Sequence, residues 1–158
     1  MEMLVVGLVA NVTLDVWQQV FRLLFKFPIT NWAMVARWIA HIPQGHLAWP
    51  DIGKAPPVPN ELFWGWVVHY AVGPSLGALY VALMRFVFHQ PLSFAAAFAF
   101  GIVTVAITWF VIEPLLGAGP AARNVPNGNL VRAQDLTSHA AFGVGLYLGG
   151  VLAATLAP

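Results

Sequence analysis

The sequence predicts an all-α membrane protein: four transmembrane helices in one bundle plus a short interfacial helix in the first long loop. Three observations carry that prediction. Of 158 residues, 59% are hydrophobic and only 8% charged, with a mean hydropathy of +0.76, whereas a soluble domain usually carries about 25% charged residues. Four apolar stretches, about 3–26, 61–85, 92–114 and 134–156, each hold about 20 or more residues, enough at about 1.5 Å per residue to cross a hydrocarbon core of about 30 Å. Alternating strand patterns are absent, so the spans read as helices rather than as a barrel. One four-helix transmembrane domain, residues 1–158, accounts for the whole sequence.

The first span opens with "MEMLVVGLVA". An acidic residue stands where a signal peptide has its basic region, and no small-residue cleavage site follows. The run therefore reads as a retained helix. In "TNWAMVARWIAHIPQG", Thr30 or Asn31 can cap a short amphipathic helix over about 31–42, stopped by Pro43 and Gly45. Trp32, Arg37 and Trp38 suit the headgroup level. "KAPPVPNE" is an extended approach to the second span, a tight connection ending at Pro91 joins the second to the third, and "GAGPAARNVPNGN" is a turn-rich link to the fourth.

Charge sets the expected orientation. Arg22, Lys26, Arg37, Lys54, Arg123 and Arg132 fall on the side of the long loops and only Arg85 on the other. Basic residues favour the cytoplasm, so the long loops are expected there and both termini outside. The net charge of +1 argues against a nucleic-acid partner. With no cysteine, disulfides, thiolate metal sites and thiol nucleophiles are excluded.

The polar residues inside the spans carry the functional signal. Asn11, Asp15, Gln18 and Arg22 share one helix face by their spacing, and such a stripe must turn away from lipid. The second span carries Gly65, His69, Gly73 and Gly77 at four-residue steps, and the fourth carries Asp135, His139, Gly143 and Tyr147. Small residues at that spacing let helices approach closely, so the glycine faces of both spans are candidate surfaces for a second copy or for a membrane-complex partner.

Counted from the expected span ends, Asp15 lies about 16 Å below the long-loop face, His69 about 12 Å and His139 about 7–8 Å, with Glu113 near the surface. All four fall in the same half of the bundle. The candidate pocket comprises Asn11, Asp15, His69, Glu113, Asp135 and His139, with Arg37, His41 and Arg132 at its mouth. His69 and His139 are the candidate metal ligands, because a mixed histidine and carboxylate set suits zinc or non-haem iron. The Glu-x-x-His pairs of di-iron bundles are missing. No cofactor is assigned and no complete catalytic set is present.

Five stretches, "LDVW", "ARWIAHIPQGHL", "ELFWGWVVHYAVG", "EPLLGAGPAARNVPN" and "TSHAAFGVGLYLGG", together resemble a bacterial membrane family known as domain of unknown function 2938. The resemblance runs over nearly the whole chain in the same motif order. It implies a four-span bacterial membrane protein and supplies no activity, substrate or cofactor. Motif positions fall here on Asp15, Arg37, His41, Glu61, His69, Tyr70 and His139, among others. Glu113 stands where the family pattern has glutamine, which ranks it below Asp15, His69 and His139. The expected function is binding of a ligand or membrane partner. A small proton-coupled transporter and a metal- or haem-binding membrane protein are the alternatives.

Overall fold

The computed structural model describes residues 1–156, which are helical with no strand among them. Helix α1 runs Glu2–Phe25, α2 Trp32–His41, α3 Glu61–Val87, α4 Phe94–Leu116 and α5 Gly128–Thr155. All but α2 are long and apolar enough to cross a membrane. The last turns of α3, Leu83–Val87, and a turn of α4, Thr108–Ile112, widen to π-helix.

Helix boundaries follow local chemistry. Asn31 caps α2 by accepting from the Ala33 N–H at 3.2 Å, and Ser93 caps α4 through the Ala96 N–H at 3.3 Å; each satisfies a donor that the first turn leaves free. Beyond α2, Pro43 lies in a short 3₁₀ turn that ends at Gly45, where φ is +88°. Helix α5 begins at Gly128, six residues ahead of the expected span, immediately after Asn127 adopts a left-handed conformation. That extra length places His139 about 16 Å along its helix, much as Asp15 lies from the long-loop end of α1, and about 4 Å further in than His69.

The main seams run α3–α1, α1–α5 and α5–α4, with α2 seated on α3. Glycines set their closeness. A Cβ at Gly77 would strike the backbone of Gly7, one at Gly145 that of Ala10, one at Gly149 that of Val6 and one at Gly101 that of Gly143. The glycine faces of the second and fourth spans are thus covered by the chain's own α1 and α4. An apolar core of Val6, Ala10, Leu14, Tyr80, Val81, Met84, Ala97, Phe142 and Leu146 fills the half away from the long loops. There the Tyr80 and Phe100 rings lie 5.4 Å apart, and Arg85 pairs with Glu2 at 2.5 Å. Outward positions such as Leu4, Val12, Val16, Phe98, Val103 and Phe110 are apolar and exposed, a surface suited to lipid.

The two long loops pack against each other. The Trp49 N–H donates to the Leu115 carbonyl at 2.9 Å, and a Cβ at Gly117 would strike the Pro50 carbonyl.

Candidate functional site

The polar stripe of α1 turns inward for three of its four members. Asn11, 2% exposed, donates from Nδ2 to the His69 carbonyl at 3.0 Å; a Cβ at Gly73 would collide with its amide. Gln18 joins Thr30 through two hydrogen bonds, at 3.0 and 3.2 Å. Arg22 points outward.

Asp15 is the centre of this stripe. His69 Nε2 donates to its Oδ1 at 2.9 Å, and the Tyr70 hydroxyl donates to its Oδ2 at 2.7 Å. The carboxylate is the acceptor in both bonds, so the His69 proton on Nε2 is fixed by its partner. Two donors, one of them a charge-capable imidazole, are what a desolvated carboxylate requires. The Asp15 side chain retains 18% exposure and Tyr70 38%, so the centre opens toward the outside of the α1–α3 seam through the tyrosine.

A roof of aromatic rings covers His69. Trp32, the first residue of α2, stacks on the imidazole with centroids 4.0 Å apart and planes 24° from parallel, and Trp66 meets it edge-on at 5.5 Å. Gly65 makes this possible, since any Cβ there would strike the Trp32 backbone. Helix α2 therefore docks on α3 with five buried residues, including Arg37 and His41, rather than resting alone at the headgroup level.

Arg37 holds that docking in place. Its Nε and one terminal nitrogen bond Glu61 at 2.9 and 2.5 Å, and its other nitrogen reaches the carbonyls of Ala55, Gly53 and Ile52 at 3.2, 3.4 and 3.5 Å. Its hydrogen bond to Glu61 raises an already high pKa further, so the guanidinium stays charged. His41 donates from Nδ1 to the Arg37 carbonyl at 2.8 Å and meets Trp49 and His46 with ring centroids 5.3 and 6.4 Å away. Of the residues expected at a pocket mouth, Arg37 and His41 thus brace the first long loop, while Arg132 bonds the Ala121 carbonyl of the second.

Glu113, Asp135 and His139 occupy a different seam, between α4 and α5. Thr104 donates to the Gly101 carbonyl at 2.6 Å, so its oxygen accepts from His139 Nδ1 at 2.8 Å; His139 Nε2 faces the Thr108 hydroxyl at 3.1 Å. Both ring nitrogens are engaged by threonines. Trp109 donates to Asp135 at 3.1 Å, and the Ala122 N–H donates to Glu113 at 2.7 Å. The two carboxyl groups are close enough to interact directly. Sequence spacing put the four ionisable groups in one half-bundle. The structure brings Asp15 to His69, and Glu113 to Asp135, on separate seams. Among the described residues no three histidine, aspartate or glutamate side chains gather where they could hold a metal ion.

Sequence reasoning passed over Tyr70, Trp32 and the Thr104–Thr108 pair as site members. Tyr70 adjoins His69, and two threonines four residues apart in the most apolar span were a readable signal of a partner across the seam.

Fold and site together define an all-helical protein, four of whose helices are long and apolar enough to cross a membrane, with a carboxylate–imidazole–phenol centre under an aromatic roof. The chain matches, over residues 4–153, the family described as "Protein of unknown function (DUF2938)". It belongs to that family, as its motifs indicated. No curated protein and no solved structure matches the chain.

Proposed function

We propose that this protein resides in the bacterial inner membrane, with its long loops in the cytoplasm and both termini outside, and that its Asp15 centre binds a ligand or a membrane partner. The observation that carries the reading is the Asp15 carboxylate itself, bridged by His69 and Tyr70 and left partly open beside a half-exposed tyrosine. Carboxylates inside apolar spans are costly and are kept where they bind or transfer something. Orientation rests on the basic residues around the long loops; Arg37, tied to Glu61, is discounted as a topological charge, and Arg85 on the far side is paired with Glu2. The test is native mass spectrometry of the wild type and the Asp15→Asn variant, purified alike in mild detergent. A bound small molecule, lipid or protein that is lost from the variant supports the reading, and identical bound species in both sink it.

The Asp15–His69 hydrogen bond supports a second reading. An acid and a base one bond apart inside a span could load and release a proton during transport. Proton-driven flux in proteoliposomes that disappears in Asp15→Asn would favour this carrier role, and flux unchanged in that variant would remove it.

A further inference from the structure

We propose that a basic cavity at the start of α5, remote in sequence from the Asp15 centre, binds a phosphate group. The cavity has a volume of about 370 Å³ and is lined by Arg123 and Arg132 together with Ala122, Asn127, Gly128 and Asn129. Two of the protein's seven lysine and arginine residues converge on it, and no acidic side chain is in the lining. Of the four ion pairs among the described residues, none uses either arginine.

Arg132 is held in place rather than free. One of its nitrogens donates to the Ala121 carbonyl at 2.8 Å and another to the Asn129 side chain. These bonds leave the charge uncancelled and fix the direction of the guanidinium. Glu113, a carboxylate that attracts it, takes the Ala122 N–H at 2.7 Å and stands outside the lining. Arg123 is exposed and supplies the second cation.

The helix adds to this field. Among the described residues no side chain caps α5, and its first turn has no acidic residue; the start of this 28-residue helix lines the cavity through Gly128 and Asn129, so the positive end of its dipole lies there without a carboxylate to neutralise it. The position supplies an independent reason to name phosphate. The cavity lies where an apolar span of the proposed membrane bundle begins, at the level at which a bilayer presents lipid phosphates. A tetrahedral anion can be received there by guanidinium forks and amide donors. The phosphate comes either from an anionic lipid headgroup or from free phosphate.

The experiment uses the full chain, stripped of lipid in a non-ionic detergent, with phosphatidylglycerol, phosphatidylcholine and inorganic phosphate as separate probes. Retention is read by native mass spectrometry and binding by thermal shift, on wild type, Arg123→Gln and Arg123→Lys. Arg123→Gln, altered at an exposed residue without an ion pair, should melt like wild type when no probe is present. Phosphatidylglycerol is expected to be retained over phosphatidylcholine, about fivefold less well by Arg123→Gln, and nearly unchanged by Arg123→Lys. Protection by inorganic phosphate without a preference between the lipids would assign the site to free phosphate. Equal retention of both lipids with no phosphate shift, or no loss in Arg123→Gln, would overturn the proposal. Because every probe leaves Asp15 unaltered, these outcomes are independent of that centre.

Discussion

Replacing Arg37 with alanine should release the first long loop while leaving the spans intact. The wild-type guanidinium makes two bonds to Glu61 and reaches three loop carbonyls. Removing one member of a fully buried pair costs about 3–5 kcal/mol. Here the Glu61 side chain keeps 19% exposure, and the freed carbonyls can turn to water, so about 2–3 kcal/mol is a better figure. At about 1.4 kcal/mol per factor of ten, the loop should open roughly 30- to 150-fold more often. Hydrogen exchange of the amides that fold this loop, those of Trp49, Lys54 and Ala55, reads the change directly. Arg37→Lys should recover part of the protection, since it keeps the charge and loses the bidentate grip. Exchange within about twofold of wild type in Arg37→Ala would refute the bracing role.

Three further outcomes follow from the packing. Gly77→Leu should lower the melting temperature in detergent through overpacking worth about 1–3 kcal/mol or more, because the new side chain meets the Gly7 backbone; Gly150→Ala, which meets only the tip of Leu92 at 3.1 Å, should melt close to wild type. Tyr70→Phe removes one donor from Asp15 and should cost about 1–2 kcal/mol in the same melt, discounted for the exposure of the tyrosine; no shift would mean that water replaces the hydroxyl freely. Nitrogen-15 spectra of the histidines should show His139 protonated at Nδ1, with the bond to Thr104 lost in Thr104→Val.

The elements were legible because hydropathy acts over twenty residues at a time, and the α2 cap at Asn31 and its stop at Pro43 obey local chemistry. The α5 start was less so. "ARNVPNGN" reads as continuous turn, but the left-handed conformation at Asn127 ends the turn and the helix begins at the next residue. Periodicity told which face of α1 holds Asp15 and which face of α3 holds His69. It could not tell which neighbour each face meets, because a helix pattern specifies direction around its own axis only. His139 was therefore grouped with His69, although its partners are Thr104 and Thr108. Arg37 shows the other limit. Its charge reads equally as a topological signal or a pocket ligand until Glu61, 24 residues away, is found against it.

The most direct test of the Asp15 centre as a binding site is a melting comparison of wild type and Asp15→Asn, made before and after exhaustive detergent exchange that strips bound species. Asparagine can still accept one hydrogen bond, so both proteins should fold. A binding role predicts a gap in melting temperature that closes on stripping, because only the wild type loses a stabilising occupant. A gap of the same size before and after stripping would contradict it, and would make Asp15, His69 and Tyr70 a fastening between α1 and α3.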